Sequence, residues 1–331
     1  MVRRSLLAAA LCVWAAAAPA AEWQAAGLGK VDGLSRLSVD ASSGALYAHG
    51  AEGRFVLAGR RFVASPADSA AEAAAPSDII PHGRVAVGAN HIARAWLVQP
   101  TRRYDHGVLG DEIEAAALKV ELRDGREMVY ELGDQYVFED LLPRLADMDG
   151  DGLDEVFLAR SSLTEGAAVS IYKVGPRRLE QFSVTPSIGL PYRWLNPLGA
   201  ADFDADGEMD IAVVETPHLG KTLVVYGRQA ARLRELGRLR GFSTHAAGST
   251  VLEMAVVLDL NDDGVMDMVL PNETRGALVG VTFRGGAFAV LATGPKGAPI
   301  VTEVVSVNVD GQGLPDIVYG RADGTIEAIL R

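Results

Sequence analysis

Four copies of one acidic loop, each running straight into a short apolar strand, predict an all-β chain of repeated antiparallel sheets. The copies are DMDGDGLDE from Asp147, DFDADGEMD from Asp202, DLNDDGVMD from Asp259 and NVDGQGLPD from Asn308. Their starts lie 55, 57 and 49 residues apart, which leaves room for four short strands and their turns in each repeat. The runs that follow, VFLA, IAVV, MVLP and IVYG, are short and apolar, as in strands. A unit of this kind cannot bury its own faces, so the units must stack. The arrangement that stacks them and closes on itself is a single β-propeller of about six four-stranded blades, with seven as the alternative count.

The loops carry the chemistry of a hard cation. Oxygen ligands at positions 1, 3 and 5 turn inward where a glycine at position 6 permits a sharp bend. An EF-hand would add a bidentate Glu at position 12 and a helix after it. Position 12 is Leu158, Val213, Leu270 and Tyr319, and strand-forming residues follow, so that reading fails. An acid falls instead at position 9 in every copy, closing a nine-residue cage. The expected ligands are Asp147, Asp149, Asp151 and Glu155 in the first loop, and Asp202, Asp204, Asp206 and Asp210 in the second. The third loop offers Asp259, Asn261, Asp263 and Asp267. The fourth offers Asn308, Asp310 and Asp316, with Gln312 in place of an acid, and its metal is optional. Calcium is the expected ion.

Each blade is legible as four strands. In the unit over 140–185, PRLADM precedes the acidic loop and EVFLARS follows it, then AVSIYKV and RLEQFSV. The units over 194–240 and 250–293 repeat this order. Upstream, 35–63 and 83–132 carry the strand pattern without an acidic loop, and 64–77 (ASPADSAAEAAAPS) reads as a surface linker bracketed by prolines. The unit over 300–331 supplies only three strands. Its fourth is expected from residues 22–31, which would join the chain ends and leave no open edge.

The N-terminus reads as an export signal over residues 1–20: Arg3 and Arg4, an apolar stretch from Leu6 to Ala17, then Ala18-Pro19-Ala20 as a cleavage site. The apolar run is too short to span a membrane. Cys12 is the single cysteine, so a chain cut after Ala20 has neither disulfides nor thiolate ligands. The two signal arginines leave with the segment, so a net charge of −12 becomes −14. Nucleic acid is a poor partner for such a chain. The expectation is an exported monomer, periplasmic or extracellular, that binds an envelope protein or a glycan.

The aspartate-rich loops followed by apolar strands resemble the FG-GAP or VCBS repeats of integrin alpha-chain propellers and of many exported bacterial proteins. The likeness covers 140–331 by motif and the remainder by strand pattern alone. It implies a calcium-stabilised propeller and no particular reaction. Departures from the pattern are Asn261, Asn308, Gln312 and the missing acidic loops of the first two blades.

Antiparallel strands send the other loops to the opposite face. There the sequence gathers Arg103, Tyr104, His106 and Asp111 from TRRYDHGVLGDEIE, then Arg193 and Asn196, His218, and His245. These are the ligand-face candidates, and Trp194 among them is expected to fill a wedge between blades. Gly-x-Ser-x-Gly, phosphate-loop and HExxH motifs are all absent, so the chain reads as non-catalytic. The alternative is a hydrolase or lyase on this face, with His106, Asp111 and Arg102 or Arg103 in reach of one another.

Overall fold

The computed structural model of the chain describes residues 20–65, 75–229 and 232–331. The expected signal, apart from Ala20, and most of the expected 64–77 linker lie outside the described residues. No described helix is long and apolar enough to cross a membrane.

The chain is all-β. Two strands open it, β1 (Ala21–Glu22) and β2 (Ala25–Lys30). A first meander follows in sequence order: β3 (Arg36–Val39), β4 (Leu46–Gly50), β5 (Gly53–Ala58) and β6 (Arg61–Ala64). The next sheet has nine strands: β7 (Ala86–Val87), β8 (Ile92–Thr101), β9 (Glu114–Leu122), β10 (Glu127–Glu131), β11 (Tyr136–Phe138), β12 (Arg144–Ala146), β13 (Glu155–Ser162), β14 (Gly166–Val174) and β15 (Leu179–Val184). It contains two meanders, β7 to β10 and β12 to β15, stitched by β11. Phe138 pairs with Ala115 on one side and Arg160 on the other. The sequence reading assigned no strand at β11.

A separate four-stranded sheet holds β16 (Leu195–Ala201), β17 (Asp210–Glu215), β18 (Thr222–Gln229) and β19 (Arg232–Arg240). Then come β20 (Val256–Leu258), β21 (Asp267–Pro271), β22 (Leu278–Thr282) and β23 (Ala289–Thr293). The last strands are β24 (Val305–Val307), β25 (Asp316–Gly320) and β26 (Thr325–Ile329), and β2 completes their sheet by pairing antiparallel with β26. Glu22 departs from the expected 22–31 strand, together with Ala21 before it. They add a parallel edge to β23 instead, where the Trp23 amide donates to the Thr293 carbonyl and its ring packs over Gly280. A side chain at position 280 would meet that ring, so glycine makes room for the switch between sheets.

Burial explains the strand sequences. Inner-middle strands such as β13 (EVFLARSS) and β17 (DIAVVE) are buried on both faces, which is why they read as continuous apolar runs. The outermost β19 (RLRELGRLR) puts charges into solvent, a protection for an edge. Consecutive units share cores: one cluster joins the second, third and fourth meanders, another the fourth and fifth, and a third the fifth and sixth. Leu28 and Ala328 of the closing sheet pack with Leu37 and Leu46 of the first. The innermost strands or their lead-ins, at Leu37, Arg84, Arg144, Leu198, Val256 and Val305, surround one central cavity of ≈ 490 Å³. Sheets stacked face to face around a cavity make this a β-propeller.

The cavity is crossed by ion pairs. Arg36 donates to Glu303 at 3.2 Å, Arg84 bonds Glu253, and Arg144 reaches Asp140 at 2.8 Å. Three arginines and two of those carboxylates, Glu253 and Glu303, line the cavity, while Asp140 is fully buried outside its lining.

Candidate metal loops and the opposite rim

The four acidic loops join the first and second strands of the third to sixth meanders, and one bond recurs in all of them. The amide at loop position 2 donates to the position-9 carboxylate: Met148 to Glu155 at 2.8 Å, Phe203 to Asp210 at 3.1 Å, Leu260 to Asp267 at 3.0 Å and Val309 to Asp316 at 2.8 Å. In the first three loops the glycine amide at position 6 donates to the position-1 aspartate, at 2.8 Å, 2.9 Å and 2.8 Å. Those glycines adopt φ of 85°, 91° and 81°, a region that other residues enter only with strain. The backbone therefore folds each loop around its own acids.

The loops then diverge. In the first, ligand oxygens of Asp147, Asp149 and Glu155 lie within 4.8 Å of one another, and in the second those of Asp202, Asp204 and Asp206 do. Asp149 Oδ1 is buried without a hydrogen-bond partner. Burial, followed by the neighbouring aspartates, pushes the Glu155 and Asp210 carboxyls up to about 7. Crowded acids with an orphaned oxygen fit a hard cation, and either cluster could hold a metal ion.

The other two loops have amide side chains among the expected ligands, Asn261 in the third and Asn308 in the fourth. In the third, Arg284 donates to Asp263 at 2.7 Å and Asn261 donates to the same carboxylate at 3.1 Å, so a guanidinium already stands beside the cage. In the fourth, Asn308 donates to the Gln312 carbonyl at 3.1 Å and knits the loop to itself. Among the described residues, three-acid clusters occur only in the first two loops.

The opposite rim brings several expected residues together. His218 and His245 are hydrogen-bonded through Nε2 and Nδ1 at 2.8 Å, and His245 Nε2 donates to the Ser249 carbonyl at 2.8 Å. Burial, followed by nearby positive charge, depresses His218 to about 4; burial depresses His245 to about 3. Trp194 is buried, stacks on His218 at 6.4 Å and donates through Nε1 to the Glu139 carbonyl at 2.8 Å. His106 Nδ1 bonds the fully buried Glu139, whose other oxygen accepts from Ser161. Tyr192, half exposed, stacks on buried Tyr104 with centroids 5.0 Å apart, and the Tyr104 hydroxyl accepts the Tyr192 amide at 2.6 Å. A crevice of ≈ 50 Å³ opens between His106, Tyr192, Arg193, Trp194 and His218.

Other candidates sit elsewhere. Asn196 is not a rim residue: it is fully buried, and its amide donates to the Thr244 carbonyl and hydroxyl and to the Leu252 carbonyl, which clamps two connections. Arg103 faces Asp134 at 3.4 Å, and Asp111 faces His82 at 3.6 Å. Arg102 is drawn to Glu112, so the acid and both arginines of the expected His106, Asp111 and Arg102 or Arg103 grouping each have another side-chain partner. Glu139 was missed. It sits in VFEDLL as an acid amid apolar residues, the one local sign that a buried partner awaits it.

A family model described as FG-GAP-like repeat matches residues 147–213, the stretch that contains both three-acid clusters. The fold is thus an all-β propeller, and the stretch over 147–213 is similar to an FG-GAP-like repeat. No curated protein matches the chain. Among solved structures, it is similar to one titled "Crystal structure of BBS1N in complex with ARL6DN, soaked with lead", with 9% identity, 94% of this chain and 98% of that chain covered, and a TM-score of 0.39.

Proposed function

We propose that the chain is an exported, six-bladed, calcium-stabilised propeller that acts as a non-catalytic binding module for an envelope protein or glycan. The observation that carries the calcium reading is the pair of three-carboxylate clusters in adjacent repeats, each with oxygen ligands alone. Oxygen-only cages on exposed hairpins suit millimolar extracellular calcium, for which dissociation constants are on the order of 10⁻⁴ to 10⁻³ M. Six four-stranded meanders, with β2 closing the last, support the count of six blades. Export rests on residues 1–20, and the binding role on the aromatic, histidine-rich rim opposite the loops.

Thermal melts in chelator, in millimolar calcium and in magnesium test the metal. At calcium 100-fold above the dissociation constant each site adds about 2.7 kcal/mol. Asp149→Ala and Asp204→Ala are each expected to remove one site's share of the calcium-dependent rise while the chain still folds. An unchanged rise in both variants would sink the calcium reading.

One observation favours a second reading, a hydrolase or lyase on the rim: buried Glu139 holds His106 Nδ1, the arrangement that orients an imidazole for proton transfer. Turnover of an ester, glycoside or uronide that vanishes in His106→Gln would establish it. Turnover unaltered by that change would remove it.

A further inference from the structure

The rim holds positive charge that the rest of this acidic chain does not neutralise. Lys221 Nζ donates to the Glu273 carbonyl at 2.8 Å, and Arg193 Nη1 to the Tyr192 carbonyl at 2.9 Å. Arg275 Nη1 donates to the His245 carbonyl at 3.1 Å and the Ser243 hydroxyl at 3.3 Å, while its Nε is buried with no partner. All of these acceptors are neutral. Among the described residues no carboxylate pairs with any of the three cations, although the chain carries 43 acids against 31 Lys and Arg. Of the acids close by, Asp105 accepts the Tyr192 hydroxyl at 2.8 Å, Glu139 is held by His106 and Ser161, and the exposed Glu273 meets Lys221 through its carbonyl.

The three cations are tied to one place. Arg275 grips the main chain of His245, which bonds His218, and both Arg275 and Lys221 act electrostatically on His218. Arg193 lines the crevice that His218 also lines. The backbone there is strained: Tyr192, Thr216, Lys221 and Arg275 have φ of 54°, 42°, 50° and 57°. These are four of the eight described non-glycine residues with positive φ, and two of the others, Ala205 and Asp262, lie in acidic loops. Strain held at a cluster of unpaired charges is a mark of a binding surface rather than of packing.

We propose that Arg193, Lys221 and Arg275 form an oxoanion site on this rim, taking the carboxylate or sulfate group of an acidic ligand. Arg193 and Lys221, each making an exposed hydrogen bond to a main-chain carbonyl, keep donors free for a planar or tetrahedral oxoanion, and half-buried Arg275 adds its charge. Tyr192 offers an exposed aromatic face beside them for the ligand's apolar part. The site deepens the binding-module reading by giving the ligand a charge, and its existence does not require calcium.

Isothermal titration of the full chain with sodium sulfate and with sodium glucuronate, at constant ionic strength and in chelator and in millimolar calcium, tests it. Saturable binding is expected in both media, weakened three- to tenfold in Lys221→Gln and in Arg193→Gln, whose side chains bond only main-chain carbonyls. Arg275→Lys keeps the charge that Arg275→Gln removes, and it should weaken binding through loss of the guanidinium geometry. Absence of saturable binding, or binding unweakened in both glutamine variants, overturns the site. Binding that persists in chelator while calcium fails to raise the melting temperature would retain the anion site and discard the calcium reading.

Discussion

His245 makes the fold acid-sensitive, and the size of the effect follows from its surroundings. The imidazole is completely buried, donates to the Ser249 carbonyl and accepts from His218, so both ring nitrogens are committed in the neutral form. Burial holds it down at about 3, against an ordinary value near 6.5. Between those two values the unfolded chain binds a proton that the folded chain refuses, so stability rises with pH there and is lost as pH falls below about 6.5. Going from about pH 7.5 to pH 5 spans roughly 1.5 pH units below the unfolded value, which costs about 2 kcal/mol at 1.36 kcal/mol per unit. Raised carboxyls at Glu155 and Asp210 oppose this, because they favour the folded state as pH falls. The informative quantity is therefore the difference between two proteins. Urea unfolding of the parent and of His245→Gln, both in the His218→Gln background, should show a pH dependence flatter by about 2 kcal/mol in the variant that lacks His245. Identical slopes would refute the claim that this histidine is folded in its neutral form.

Other expectations concern packing and closure. Leu28 is 1% exposed on the strand that completes the last sheet, and Leu28→Ala should cost about 3 kcal/mol, read as a lower urea midpoint; no change would mean the chain ends do not hold the ring. Gly166 has φ of 72°, and an added Cβ would stand 2.1 Å from the Leu190 carbonyl oxygen, so Gly166→Ala should destabilise by on the order of 2–4 kcal/mol or fail to fold. Trp194→Phe keeps most of the ring but loses the bond to the Glu139 carbonyl, and a loss of about 1–3 kcal/mol in thermal or urea melts is expected.

The two halves of the site were unequally legible. The acidic loops are local: aspartates two residues apart around a glycine specify both a turn and a cage, so Asp147, Asp149, Glu155, Asp202, Asp204 and Asp206 could be named from spacing. The fate of the third loop was not local, because Arg284 arrives from 21 residues away across a different turn. Asn196 looked like a loop residue at a strand start, yet the neighbouring connections close over it and consume its amide.

By itself the sequence determined the all-β class, the repeat and the crowding of acids in the loops, since each depends on periodicity and on contacts within a few residues. Only the tertiary structure decided which residues meet across sheets. His106 found Glu139, His218 found His245, and Arg275 was left without a carboxylate partner among the described residues. Those pairings are set by how twisted sheets stack around the central cavity, a global packing constraint that no single repeat encodes.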